Sequence, residues 1–324
     1  MYKWIFCFLC VSLLADKAPV VLDERTEQLP WLTGPLIAPA ALVLKWGQIN
    51  FEPYIFATAN TGVYNSDWHT EKIPTLWNLN LAPLVYFGMN DFIDLTLLAS
   101  VFYNICENQR NWALGDLNFG IEFQLLEYDY YKHDWYPNIK FAISENFPIG
   151  KYDNLNPDKR GTQIGGNGSY ETQFQLLFGK LVKMSQGHYF SGRLVLTYIL
   201  PAPVTVRGFN SYGGGYGAHA KVYPAQLFEV DLGYEFCLSK NWVLAGDIIG
   251  IWQKSNRFKG FAGVDVNGMP GKIGPGSSFQ FSLAPALEYN WNANIGLVFG
   301  LWFTAAGRNA PQFYSGVVAF NYFK

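Results

Sequence analysis

Carboxylates recur in this sequence at the polar positions of otherwise apolar stretches. Asp94, Asp116, Glu122, Glu171, Glu229, Asp231, Glu235, Asp247 and Glu288 share that placement, and only Lys140 and Arg193 oppose them. A passage lined by carboxylates favours cations, because rings of one charge set the selectivity of a pore. The alternative is that loop cations (Arg207, Lys254, Arg257, Lys259, Lys272) fold in and neutralise the acids. Other chemistry is poorly supported. Asn154, Asn156 and Asp158 hint at a calcium loop, but the glycine falls at Gly161 and no glutamate follows at EF-hand spacing. His69, His133, His188 and His219 are scattered without metal-ligand spacing, so no metal and no cofactor is expected. His219 has no nucleophile to serve, and no enzymatic role is expected. The glycine runs 213–217 and 271–276 lack the GxxxxGK(S/T) pattern and the following helix of a phosphate cradle and read as flexible loop tips.

The acids need elements that present them on one face. In 92–105, Ile93, Leu95, Leu97, Ala99, Val101, Tyr103 and Ile105 alternate with Asp94, Thr96, Ser100 and Asn104. The same period of two runs through 116–125, 228–238 and 278–290, and it is the period of a strand with two unlike faces. Twelve such segments are read: 49–59, 75–87, 92–105, 114–126, 137–147, 169–181, 188–200, 224–238, 242–253, 277–289, 294–305 and 312–323. Segments 49–59, 242–253 and 294–305 alternate least cleanly. Strands of soluble sandwiches average about 5–6 residues, whereas a tilted membrane-spanning strand needs about 9–11. The connections agree, because those after odd-numbered segments (60–74, 106–113, 148–168, 201–223, 254–276, 306–311) together far outrun those after even-numbered ones (88–91, 127–136, 182–187, 239–241, 290–293). Outer-membrane barrels show that asymmetry.

Rings give a second check. Trp242 and Trp252 share a face ten residues apart, and Phe279 and Tyr289 repeat the spacing. Ten tilted residues rise ~25 Å, the height of the apolar band between two aromatic girdles. Within hydrocarbon every backbone N–H and C=O needs a partner from the protein, so spanning strands must close on themselves. The expected fold is therefore all-β, a transmembrane antiparallel up-and-down barrel of about twelve strands. Cys106 and Cys237 would lie at opposite ends of it, too far apart for a disulfide.

Composition fits that environment. The chain has 324 residues, 50% hydrophobic and 18% aromatic, with 15% charged residues and a net charge of −2. Disorder and coiled coil are excluded, and no basic excess exists to hold nucleic acid. Residues 1–15 read as a secretory signal, with Lys3 before the apolar run Trp4 to Leu14. Residues 16–48 carry Pro30, Pro35 and Pro39 and the apolar run Leu36 to Leu44, and they read as a periplasmic tail or a plug. Either 148–168 or 254–276 is the candidate for an inward constriction.

From about residue 75 onward the chain resembles the meta-pathway phenol-degradation-like family of outer-membrane barrels, taken to be transporters. The matching pieces are Gly115-Asp116-Leu117, Phe147-Pro148-Ile149-Gly150 and Gly307-Arg308-Asn309-Ala310, although the family commonly has Pro-Thr-Gly at 148–150. The opening 29–36 resembles one found in exported proteins of this type. The C-terminal strand ends with Val318, Phe320 and Tyr322 on one face, offset by Phe323-Lys324 from the usual terminal aromatic read by barrel-assembly machinery. The combined expectation is a Gram-negative outer-membrane porin-like transporter, in contact with lipid and passing small hydrophobic, aromatic or cationic solutes. A structural or surface-interaction barrel is the alternative, and an outer-membrane enzyme the third.

Overall fold

The computed structural model describes residues 29–130, 135–185, 188–274 and 276–324. The expected signal and residues 16–28 lie outside them, as does His133. The strands are β1 (Ile49–Tyr64), β2 (Thr70–Asn90), β3 (Ile93–Leu98), β4 (Val101–Cys106), β5 (Gln109–Leu114), β6 (Leu117–Leu126), β7 (Asn138–Phe147), β8 (Glu171–Ser185) and β9 (His188–Pro201). They continue as β10 (Val204–Arg207), β11 (His219–Tyr223), β12 (Leu227–Cys237), β13 (Trp242–Gln253), β14 (Arg257–Phe261), β15 (Ser278–Asn290), β16 (Ile295–Arg308) and β17 (Ala310–Phe323).

Fourteen of them form one antiparallel sheet, and the pairing of β1 with both β2 and β17 closes it. β3 and β4 act as one ribbon broken at Ala99-Ser100, and β5 and β6 as another broken at Gly115-Asp116. The wall is thus a closed barrel of twelve ribbons. The first break has a local cause. Pro83 of β2 stands opposite it and has no N–H to give the ladder, although its carbonyl still accepts from Ala99 at 3.3 Å.

Side chains alternate as a closed membrane barrel requires. Along β17, Tyr314, Val318, Phe320 and Tyr322 are exposed on the outer face while Phe313, Val317, Ala319 and Asn321 are buried inside. Phe323 points inward, so the terminal offset places one aromatic in the interior. The outer face carries ring rows near both ends. Trp242 packs on Tyr289 at 4.8 Å, and Tyr289 on Trp291 at 5.1 Å. At the other end Phe228, Trp252 and Phe279 form a chain with centroid spacings of 5.9 and 5.1 Å.

Two expectations are corrected at the long-loop end. The connection 60–74 is mostly strand, leaving only 65–69 as a turn. Connections 201–223 and 254–276 are not loose tips, because β10, β11 and β14 pair into a separate three-stranded sheet. Its inner face (Val204, Val206, Ala220, Val222) packs on Ile273, Tyr152 and Tyr212. The glycine run 213–217 belongs to this packed layer. A Cβ on Gly215 would stand 2.1 Å from the Val264 carbonyl oxygen, so only glycine fits there.

Candidate functional site in the barrel interior

The inner face brings together most of the carboxylates singled out by spacing. Asp94, Glu122, Glu229, Asp231, Glu235, Asp247 and Glu288 are buried there, with Lys140 among them. Glu171 also faces inward, near the mouth, and accepts from the Asn167 amide at 2.5 Å. Asp116, at the break between β5 and β6, is half-buried and accepts from the backbone of Gly150 and Asn167. Its work is to hold the turn of connection 148–168.

Two ion pairs neutralise part of the lining. Lys140 Nζ lies 2.5 Å from Glu122 Oε2, and Arg193 Nη2 lies 3.1 Å from Glu235 Oε2. Both pairs are buried, so each charge depends on its partner. The loop cations do not serve this purpose. Among the described residues, Arg207, Lys254, Arg257, Lys259 and Lys272 form no ion pair with an interior carboxylate.

Three further acids, Asp94, Asp247 and Glu288, meet a different partner, the chain's own residues 31–44. This strap crosses the inner wall in an extended path. Pro35 and Pro39 suit that path and remove two N–H donors that would otherwise need acceptors. The wall supplies acceptors for several of the rest. Thr33 N–H donates to Glu288 at 2.7 Å, and Thr33 Oγ1 to Asn290 Oδ1 at 2.6 Å. Ile37 and Ala38 N–H donate to the two oxygens of Asp247 at 3.1 and 2.9 Å. Val43 and Leu44 N–H donate to Gln124 Oε1 and Asp94 Oδ2, each at 2.8 Å. In the other direction Arg193 donates to the Ala38 carbonyl at 3.0 Å, and Lys140 to that of Leu42 at 3.3 Å. Hydrogen bonds to a charged acceptor are about twice as strong as neutral ones.

Wall glycines let the strap lie close. A Cβ on Gly233 would meet Ala38 Cβ at 2.6 Å, and one on Gly179 would meet Ala41 Cβ at 3.1 Å. Apolar side chains complete the contact. Leu36, Ile37 and Leu44 are buried in a cluster with Tyr54, Phe56, Leu84, Tyr86, Val298, Trp302 and Phe313.

Beyond the strap, toward the mouth, lies a polar band. Asp231, Ile249, Ser282 and Thr304 share one row across β12, β13, β15 and β16, with Gln280 in the next row. Asp231 Oδ1, Thr304 Oγ1 and both amide atoms of Gln280 are buried without a hydrogen-bond partner among the described residues.

At the mouth, connection 148–168 turns inward, as one of the two constriction candidates. Its Thr162 and Ile164 carbonyls accept from the inward-facing Asn104 amide at 3.0 and 3.1 Å. Within it Asn156 Oδ1 accepts from Asp158 N–H at 2.9 Å and caps the short turn Pro157–Lys159. Burial lifts the Tyr152 phenol above its ordinary range, Asp153 adds to this, and Arg207 opposes it.

Sequence reasoning passed over Glu52. It is buried in β1 beside Tyr54 and accepts from the amides of Asn50 and Asn321. The signal was present in the alternation Asn50-Glu52, but the inward-facing Tyr54 and Phe56 blur it. Gln124 falls on the polar face of 116–125 and Asn290 in the short connection 290–293, and nothing in the local sequence marks either as a strap anchor. Cys106 and Cys237 are separate buried thiols.

No protein-family model and no curated protein matches the sequence. Among solved structures, the β domain of the Bordetella autotransporter BrkA aligns with a TM-score of 0.46 at 8% identity, over 85% of this chain and 99% of that one. The translocator domain of autotransporter NalP from Neisseria meningitidis reaches 0.43 at 9% identity, over 86% and 89%. An outer-membrane channel from Pseudomonas putida F1 aligns with a TM-score of 0.67 at 12% identity, over 88% of this chain and 98% of that one. That last likeness, with the closed ring of pairings, identifies the architecture as a twelve-stranded antiparallel barrel of the outer-membrane kind.

Proposed function

We propose that the barrel is an outer-membrane channel for small solutes, cationic ones above all, with residues 31–44 as its plug. The observation that carries this reading is the polar band of Asp231, Thr304 and Gln280. Buried polar groups without protein partners require water or a solute. The Asp231 carboxyl in that band favours a cation over an anion there. The plug is attached through backbone N–H groups on fixed acceptors, contacts that water can replace one at a time. The motifs shared with the meta-pathway family add aromatic solutes to the candidates, and the long loops face outward in this reading, as in other barrels of the class.

The test is planar-bilayer conductance of the full chain carrying Ala41→Cys and Gly179→Cys. Their Cβ positions are close enough for a disulfide after a shift of a few tenths of an ångström. Oxidised, the locked plug should hold conductance near zero. Reduction should restore brief openings whose reversal potential in a salt gradient reports cation preference. Equal conductance in the two states would refute the plug, and anion preference would refute the assigned role of the acids.

A further inference from the structure

The two edges of the separate three-stranded sheet are finished differently. The outer edge of β10 is covered by connection 148–168. Asn154 N–H donates to the Arg207 carbonyl at 3.0 Å, Leu155 bridges to Phe209, and the Tyr152 hydroxyl donates to the Thr205 carbonyl at 3.4 Å. The opposite edge is β14. It pairs with β11 on one side. Among the described residues no strand and no loop backbone bonds to it on the other. All five of its residues are exposed, Phe258 and Phe261 among them. A bare edge of N–H and C=O groups is a template for a further strand.

Charge decides which strand fits. Register places Arg207 beside His219, Lys221 beside Lys259, and Tyr223 beside Arg257. Cross-strand partners share a side, so one face of the sheet is basic. β10, β11 and β14 contain no acidic residue. Among the described residues, no ion pair engages Arg207, Lys221, Arg257 or Lys259. Lys221 directly opposite Lys259 is a like-charge pair, which destabilises a sheet. A strand added beside β14 sets every second side chain next to Arg257 and Lys259, whichever way that face looks. Carboxylates at those positions offset the repulsion. The intervening side chains lie beside Phe258, where apolar residues fit. Lysine on an edge discourages pairing with basic strands, so the edge is selective rather than closed. A second copy of this chain is a poor fit, because its β14 would add cations to the same face.

We infer that the bare edge of β14 receives an extended peptide segment of another protein, with acidic and apolar residues in alternation, as a fourth strand of this sheet.

The test is fluorescence anisotropy of the full chain in non-ionic detergent with a labelled heptapeptide of alternating glutamate and valine. This peptide should bind, and its lysine–valine counterpart at least about tenfold more weakly, because opposite-charge cross-strand pairs are worth up to about fivefold each. The variant R257E/K259E should reverse the preference. It keeps the sheet, since Lys221 then faces a carboxylate. An unchanged preference would overturn the site. N-methylation of the peptide tests the backbone pairing. Successive amides of a strand point to opposite edges, so methylating every valine nitrogen and methylating every glutamate nitrogen should differ, one abolishing binding and the other sparing it. Loss in both, or in neither, would overturn pairing along the edge. A glutamate–valine peptide that stayed free at millimolar concentration would overturn the inference as a whole.

Discussion

The two halves of the inner wall differ in kind. Across β6, β7, β8, β9 and β12 the interior carries Glu122, Gln124, Lys140, Gln173, Gln175, Arg193, Thr197, Glu229 and Asp231. Across β16, β17, β1 and β2 it carries mainly Val298, Trp302, Phe313, Val317, Tyr54, Phe56, Leu84 and Tyr86, with Glu52, Thr304 and Asn321 as polar exceptions. The same strap touches both. On the polar half it is held by directed bonds, such as those from Arg193 and Lys140 to its carbonyls. On the apolar half it is held by the shape and hydration of Leu36, Ile37 and Leu44. A barrel interior is therefore not polar by necessity. It is polar where it meets water, ions or backbone, and apolar where it is packed like a protein core.

The largest effect is expected on the polar half. Lys140 and Glu122 are buried almost completely, 2.5 Å apart. Lys140→Ala strands the Glu122 carboxylate, and removing one partner of such a pair costs about 3–5 kcal/mol. Guanidinium unfolding of the refolded barrel in lipid vesicles, followed by heat-modifiable gel migration, should show that loss. Replacing both partners, Lys140→Met with Glu122→Leu, should recover most of it, because an apolar pair of similar volume is close to neutral. If the double variant is as unstable as the single one, the polar half is held by more than its charge balance.

The apolar half should answer to volume alone. Leu84 is fully buried on β2 within the cluster that receives Leu36 and Leu44. Leu84→Ala should cost about 3 kcal/mol in the same unfolding assay, the sum of lost burial and the cavity left behind. Leu84→Met should cost under about 1.5 kcal/mol, since volume is kept. A large loss with methionine would show that this wall depends on geometry finer than packing volume.

The contrast also explains what could be read in advance. Strands of the polar half announced themselves, because Glu229, Asp231 and Glu235 alternate with Phe228, Val230 and Tyr234. The segments that alternated least cleanly, 49–59, 242–253 and 294–305, contribute Tyr54, Phe56, Ile249, Ile251, Val298 and Trp302 to the interior. There the period survives in the backbone but not in the hydropathy, since both faces are apolar. The course of residues 31–44 along the inner wall was illegible for another reason. Its acceptors, Asp247 and Glu288, are some 200 residues or more away in the chain, at sequence separations of 209 and 255, and no local pattern reports such a contact. The basic sheet face was hidden because its cations were weighed only as partners for interior acids.

The smallest effect separates the two grips on the strap. Thr33 donates its hydroxyl to Asn290 at the end nearest the short turns, while Leu44 sits at the far end of the strap, among apolar side chains. Thr33→Val keeps the shape and removes one hydrogen bond, a change of about 1 kcal/mol. If the strap opens in pieces, amide exchange at Gly34 should quicken about fivefold while Leu44 keeps its wild-type rate, because local openings are governed by the contacts of the segment that opens. Equal acceleration at both amides would mean that the strap leaves as one body. The two walls would then act as a single lock, and a solute that loosened either one would release the other.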